Sequence, residues 1–163
     1  HDRVEAMSLS DRIIVMNKGK IVQIGSPHQV YRDPASAFVA GFIGKVAFLP
    51  AEVAGVDEHC TVRVRGRTFT LPRFSPDLKA GDSALVMCRP ESLTLLPPGE
   101  GILDGKVTTN VYLGHSIESF VSTEMGEILV QVDNPDARQI FAEGEPVSVS
   151  FIPELTKALP PEE

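Results

Sequence analysis

Several features that mark other protein classes are scarce in this sequence of 163 residues. It has no tryptophan, and aromatic residues make up only 6% of it. No apolar run approaches the ~20 residues that a helix needs to span a bilayer. The formal charge of −7 argues against a partner dominated by phosphate backbone, because such partners are bound largely through lysine and arginine. We therefore expect neither a membrane-inserted chain nor a nucleic acid partner.

Cysteine is also scarce, with Cys60 and Cys88 the two examples. They lack the CxxC spacing of metal and redox motifs, so a disulfide between them stays open but a reduced cytosolic pair is favoured. His59 precedes Cys60, yet a lone His-Cys pair does not supply the four ligands of a structural zinc site. The sequence therefore predicts no metal site.

The first part of the chain predicts a short helix, a β-hairpin and two further helices. Asp2–Leu9 has one apolar side, typical of a helix. Residues 13–16 and 21–24 are rich in β-branched side chains, and Asn17-Lys18-Gly19 between them predicts a three-residue hairpin loop. The hairpin ends at Gly25, where a helix start is predicted.

Capping residues set the bounds of the two later helices. Ser26 and Gln29 have capping-box spacing, with Pro27 at the first helical position. Asp33-Pro34 predicts the end of that helix and the start of the next, for which Gly44 is a stop signal. We expect the apolar stripe of this last helix to be core; it comprises Phe38, Val39, Phe42 and Ile43.

The helices and the hairpin lie within a longer pattern, HD..EA......DRI.VM..G.I.Q.G.P..VY..P...FVA.FIG, which covers residues 1–44. It resembles the C-terminal end of the ATPase domain in ABC importers of the maltose, polyamine, ferric iron and sulfate type. The resemblance implies that His1 is the switch histidine, which contacts the γ-phosphate of ATP in the closed dimer and supports catalysis. Most relatives have Gln at the position of Arg3, so the chain departs from the family pattern beside this histidine.

Other parts of an ATPase are missing from the sequence. Nothing matches G-x-x-x-x-G-K-[ST], whose backbone amides cradle phosphates, and the family's signature loop, acidic strand and catalytic glutamate are absent too. We therefore expect that the chain is the C-terminal part of a longer protein. ATP and Mg²⁺ are implied as cofactors of that parent ATPase, whereas the fragment alone is expected to bind no cofactor and to lack activity.

From residue 45 onward the sequence changes to a β pattern. Turn signals at Gly66, Gly81, Gly114, Gly126 and Gly144 separate short runs with alternating polarity. Helical signal is limited to Asp136–Phe141. Strands are predicted at residues 61–65, 67–71, 83–88, 106–113, 117–121, 128–132 and 147–152. Many short strands with glycine and proline punctuation predict a mainly β, barrel-like module.

An internal echo predicts that this module contains two similar units. The stretch from Ala80 through Arg89-Pro90-Glu91 lines up with the stretch from Glu143 through Ile152-Pro153-Glu154, at an offset of about 63 residues. Each consists of an acidic glycine turn, a strand and then Pro-Glu. The echo predicts two small oligonucleotide-binding (OB) type barrels that lie side by side or share strands.

The second part resembles the transport-associated OB (TOBE) regulatory domain of the same importers. Arg89-Pro90-Glu91 matches the family's RPE element, and Val111-Tyr112-Leu113-Gly114 matches its YLG element. The resemblance implies an ATPase remnant at residues 1–44 and a TOBE region at 45–163. It further implies a homodimer, permease subunits and a solute-binding protein as partners, and a place on the cytoplasmic face of the inner membrane. The solute stays open, with ferric iron and polyamines favoured.

Three roles compete for the β region. Binding of single strands needs a cationic groove with aromatics, for which Arg63, Arg65 and Arg67 are candidates, but the net charge favours a solvated hairpin face. Sensing of a small oxyanion could use residues 108–110 and 114–116, and a stand-alone OB-like sensor of this kind is the alternative function. A dimerising and regulatory scaffold is the favoured role.

Overall fold

The computed structural model describes residues 3–162. The first part of the chain contains α1 (Arg3–Leu9), β1 (Ile13–Asn17), β2 (Lys20–Gly25), α2 (Pro27–Arg32) and α3 (Ala37–Ile43). The strands that follow are β3 (Ala47–Val56), β4 (Cys60–Val64), β5 (Arg67–Leu71), β6 (Ser83–Cys88), β7 (Leu93–Leu96), β8 (Leu103–Tyr112), β9 (Ser116–Thr123), β10 (Gly126–Asp133), β11 (Pro146–Phe151) and β12 (Lys157–Leu159). The mainly β fold predicted from the sequence is confirmed. Within residues 3–162, no helix has the length and apolar character needed to cross a bilayer.

The hairpin of β1 and β2 is confirmed, but its loop is shorter than predicted. Asn17 pairs with Lys20, which leaves the two-residue loop Lys18-Gly19 instead of a three-residue one. Both loop residues have positive φ, 52° and 77°, as a tight hairpin turn with the twist of the strands requires. Ile13 and Val15 are buried on one face of β1, while the other face of this hairpin is exposed.

The helix starts follow local side-chain chemistry. The Ser26 hydroxyl accepts from the Gln29 amide at 3.2 Å and the Gln29 side chain accepts from the Ser26 amide at 2.8 Å, confirming the capping box. The start of α3 was wrongly assigned to Asp33-Pro34, because Ser36 is the residue whose hydroxyl caps the Val39 amide. The prediction that Phe42 is core is also wrong, since 45% of it is exposed.

The β region consists of two five-stranded antiparallel sheets that exchange strands. One sheet has the order β12-β6-β3-β4-β5 and the other has the order β10-β9-β8-β11-β7. Strand β7 follows β6 in the chain but pairs with β11 in the second sheet, whereas β12 follows β11 but pairs with β6 in the first. Strand β7 thus forms an edge of the second sheet and β12 an edge of the first, so that the exchange of these strands connects the two sheets.

The internal echo corresponds to this exchange. A 3₁₀ turn at Pro90–Ser92 connects β6 to β7, and a second at Pro153–Leu155 connects β11 to β12. In both turns proline occupies the first position, where its missing N–H leaves no donor unsatisfied. The repeated Pro-Glu thus marks the two points at which the chain crosses from one sheet to the other.

One apolar core serves both sheets. Its buried side chains include Leu49, Val62, Val86, Val121 and Val149, and Phe69 and Phe151 contact each other with ring centroids 4.5 Å apart. Close packing of strands depends on Gly105 in β8, where an added Cβ would lie 2.6 Å from the Ser122 carbonyl oxygen.

Several elements differ from the sequence-based predictions. Strand β3 was missed because Pro50 lies in its middle, and the short strands β7 and β12 carry little periodicity. The helix predicted at Asp136–Phe141 is wrong, because only a 3₁₀ turn forms at Pro135–Ala137. Asn134 before that turn is left-handed, with φ of 52°, and no regular helix continues from it.

Candidate functional site

His1, the site residue predicted for catalysis and for the ATP γ-phosphate, lies outside the described residues. Among the described residues, a polar junction lies where α2 and α3 meet the crossing turn at Pro90–Ser92. It is formed by Tyr31, Arg32, Arg89, Glu91 and Lys157. At its centre is Arg89, whose side chain is fully buried. A buried arginine is uncommon and requires partners for all of its N–H groups.

The Arg89 guanidinium binds main-chain carbonyls of the helical part. Its Nε and Nη2 donate to the Tyr31 carbonyl at 3.2 and 3.0 Å. Its Nη1 donates to the carbonyls of Ala40, Gly44 and Lys45 at 2.8, 3.2 and 3.1 Å. These carbonyls belong to the end of α3 and the residues after it, where helical hydrogen bonds run out and the helix dipole favours a cation. Arg89 therefore caps α3 from another part of the chain.

Tyr31 and Glu91 complete the environment of this buried charge. The Arg89 guanidinium lies over the Tyr31 ring, and the Tyr31 hydroxyl donates to the Glu91 carboxylate, with 2.8 Å to Oε2. Burial, and then the hydrogen bond and negative charge of Glu91, raise the pKa of Tyr31 to about 12. Burial lowers the pKa of Arg89, while Tyr31 and Glu91 act against this change.

Two further cations extend the junction towards the end of the chain. Arg32 donates to the Glu91 carboxylate at 3.0 Å and to the Leu155 carbonyl at 3.1 Å. Lys157, which is buried, donates to the Pro34 carbonyl at 2.9 Å and lies 2.6 Å from the Asp33 carboxylate. Both crossing turns between the sheets are therefore connected to the segment around α2.

The contacts of this junction are structural. Its arginine, tyrosine and glutamate side chains are engaged with one another and with backbone, and among residues 3–162 no cluster of potential metal ligands is found. Charge-assisted hydrogen bonds are shorter and stronger than neutral ones and have specific geometry. The junction therefore holds α2 and α3 in a defined position against the two sheets.

Thr108 and Asn110, two of the residues predicted for oxyanion binding, make internal contacts. The Thr108 hydroxyl donates to the Phe120 carbonyl, and the Asn110 amide donates to the Glu143 carboxylate at 2.9 Å. The Asn110 side chain donates to the Phe141 carbonyl and accepts from the Ser119 hydroxyl. The Glu143 carboxylate thus already accepts a hydrogen bond from the main-chain N–H of Asn110, which an external anion would need as a donor.

The three arginines considered for binding of single strands are engaged within the chain. Arg63 pairs with Glu52 at 2.6 Å, Arg65 pairs with Glu124, and Arg67 donates to backbone carbonyls.

Cys60 and Cys88 are both buried and free, and burial raises the pKa of each thiol.

Sequence reasoning found the Arg89-Pro90-Glu91 element only as a family motif and missed Tyr31, Arg32 and Lys157. A buried arginine looks like any surface arginine in a sequence. A usable signal was its position directly after the apolar run of β6, where the chain leaves a buried strand.

The chain is similar in sequence to a known domain family and to several curated proteins. Residues 86–159 match the TOBE domain family, and this stretch contains Arg89, Glu91 and Lys157. The chain is 39% identical over 163 residues to the spermidine/putrescine import ATP-binding protein PotA of Ruegeria pomeroyi, an alignment that covers 98% of the chain and 44% of that protein. It is 40% identical over 131 residues to the Fe(3+) ions import ATP-binding protein FbpC of Rhizobium etli, covering 80% of the chain and 36% of that protein. The chain thus spans less than half the length of these curated relatives.

A solved structure supports the fold. The cytoplasmic molybdate-binding protein ModG, in a crystal form with molybdate bound, superposes with a TM-score of 0.52 at 15% identity. The superposition covers 71% of this chain and 96% of that one. At this identity the likeness concerns the arrangement of the strands alone.

Proposed function

Because the chain is a relative of the ATP-binding subunits of ABC importers and carries a TOBE domain over residues 86–159, we propose that it forms the C-terminal regulatory part of such a subunit. The observation that carries this proposal is the alignment to a polyamine importer subunit over 98% of the chain. In this proposal residues 1–44 complete the ATPase domain and residues 45–163 form the regulatory region.

The junction supports a coupling role in the proposed subunit. Movements of an ATPase domain during its cycle would reach α2 and α3 first, and Arg89 connects both to the strand-exchanged sheets. We propose that the regulatory region dimerises, so that two copies hold their ATPase domains together during opening and closing. The parent protein would bind ATP and Mg²⁺ and assemble with permease subunits on the cytoplasmic face of the inner membrane, fed by a solute-binding protein.

A chimera tests the function directly. The region of Ruegeria pomeroyi PotA that this chain matches is replaced by this chain, and the chimera is produced in cells that lack their own PotA. A second chimera uses Rhizobium etli FbpC in the same way. We expect at least one chimera to restore uptake, of spermidine in the first case or of ferric iron in the second, together with ATP hydrolysis.

The control for each chimera omits residues 45–163. Restored uptake in the chimera and its loss in this control support the regulatory role. Chimeras that accumulate as folded protein and restore neither uptake nor ATP hydrolysis contradict it.

A further inference from the structure

A groove separates the start of β3 from the β9–β10 hairpin. It has a volume of about 420 Å³ and is lined on one side by residues 45–49, on the other by Met125 and residues 127–129, and also by Phe120 and Pro90. This volume lies within the range of small-molecule sites in proteins, roughly 300–1,000 Å³.

Residues 47–49 of β3 and 127–129 of β10 line the groove in succession, so both strands present an edge to it instead of a single face. Strand β3 pairs with β6 from Ala47 to Glu52 but with β4 only from Glu52 onward. Strand β10 is the last strand of its sheet and pairs with β9 alone within residues 3–162. Main-chain N–H and C=O groups of both strands are therefore available to a molecule in the groove.

Several apolar side chains line the groove beside its exposed polar groups. The half-buried side chains of Phe48, Phe120 and Leu129 line it, and Met125 adds a flexible apolar side chain at one end. A ligand with an apolar body can remove this surface from water, which is the main favourable contribution in such sites.

Two residues of opposite charge, Lys45 and Glu127, line the groove. Lys45 has its Nζ 6.0 Å from the Phe120 ring centroid and, among residues 3–162, no carboxylate within ion-pair distance. Glu127 lies on the other side of the groove, also exposed and with no ion pair within that range. Both charges can be satisfied at once by a molecule that carries a carboxylate and an ammonium group.

We propose that this groove binds a small organic zwitterion with an apolar body. The carboxylate of the ligand pairs with the Lys45 ammonium, its ammonium pairs with the Glu127 carboxylate, and its apolar part packs on Phe48, Phe120 and Leu129. Free apolar amino acids and short apolar peptides share this chemistry. A peptide would also use the main-chain groups of the two strand edges.

The groove adjoins the polar junction. The Lys45 carbonyl accepts a hydrogen bond from Arg89, and Pro90, the next residue, lines the groove. A bound zwitterion therefore contacts the segment that joins α3 to the sheets. The proposal extends beyond the importer function and does not depend on it, because binding is measured on the chain itself.

Calorimetric titration of the 163-residue chain tests the proposal. The probes are L-leucine, L-leucyl-L-leucine, N-acetyl-L-leucine and L-leucinamide; the last two each lack one of the charges. The variants are Lys45→Gln and Glu127→Gln, with Lys20→Gln and Glu58→Gln as controls on exposed positions outside the groove. Thermal unfolding of each variant checks that it is folded.

We expect leucine or leucyl-leucine to bind, and each groove variant to weaken that binding by about 2- to 5-fold, since pairs between exposed charges contribute up to about 1 kcal/mol. Preference for leucine identifies a free amino acid, and preference for leucyl-leucine identifies a peptide. The proposal is overturned if neither zwitterion binds, if the singly charged analogues bind equally well, or if folded groove variants bind like the controls.

Discussion

The guanidinium carbon of Arg89 lies 4.3 Å from the centroid of the Tyr31 ring. These residues come from different parts of the chain, one from the helical segment and the other from the start of a crossing turn between sheets. Their contact fixes the end of α3, the Glu91 carboxylate and Lys45, two residues before β3, relative to one another. Arg89 thus acts together with Arg32 and Lys157 in attaching the helical part to the β region.

Replacement of Arg89 should be strongly destabilising. In Arg89→Met the carbonyls of Tyr31, Ala40 and Lys45 lose a donor in a buried place, and we expect a loss of about 3–5 kcal/mol in the free energy of unfolding. Urea unfolding followed by circular dichroism measures it. Arg63→Met, which breaks an exposed pair, is the control and should change stability by less than about 1 kcal/mol. Equal effects of the two substitutions would contradict the central role of Arg89.

The Tyr31 hydroxyl should titrate unusually late. Its pKa is raised to about 12 from an ordinary value of 10.0, so the unfolded chain releases this proton before the folded one does. The stabilisation is therefore complete below pH 10 and is lost as the pH rises through 12. Ultraviolet absorbance of tyrosinate should show a late step that Tyr31→Phe removes and Tyr112→Phe, at an exposed position, leaves in place. Persistence of the late step in Tyr31→Phe would show that another group produces it.

Gly105 should tolerate no side chain. A Cβ there would lie 2.6 Å from the Ser122 carbonyl oxygen and 2.8 Å from a Val121 methyl, so strands β8 and β9 would have to separate. We expect Gly105→Ala to cost about 1–3 kcal/mol of stability in thermal or urea unfolding. The control is Gly41→Ala in α3, where a Cβ meets nothing within 4 Å and should add about 0.4–1 kcal/mol. A neutral Gly105→Ala would mean that the two strands can shift at little cost.

Local patterns in the sequence were enough to predict the hairpin, the capping box and most strands of the β region. Each depends on neighbouring residues, such as Ser26 with Gln29 or the alternation along β4. The exchange of β7 and β12 could not be predicted, because it is decided by pairing between residues more than 50 positions apart. The burial of Arg89 likewise depends on carbonyls that lie more than forty residues earlier in the chain.

The two cysteines should be unreactive in the folded chain. Cys60 and Cys88 are fully buried, and burial raises the pKa of both thiols, which lowers the fraction of nucleophilic thiolate. Titration with a chromogenic disulfide reagent should detect almost no thiol under native conditions and two thiols per chain in denaturant. Rapid native reaction of either cysteine would mean that its strand opens readily.

Substitution of His1 in the PotA chimera tests the switch-histidine assignment. If His1 is the switch histidine, it donates a hydrogen bond to the γ-phosphate in the closed dimer and stabilises charge that develops in transfer. Loss of comparable donors lowers rates by about 10²–10³. His1→Ala should therefore reduce ATP hydrolysis sharply and leave ATP affinity nearly unchanged, because ground-state binding depends mainly on the phosphate loop. His28→Ala, at an exposed position of α2, is the matched control and should hydrolyse ATP normally. Full hydrolysis by the His1→Ala chimera would refute the switch assignment, whereas reduced stability with unchanged turnover per folded molecule would indicate a packing role.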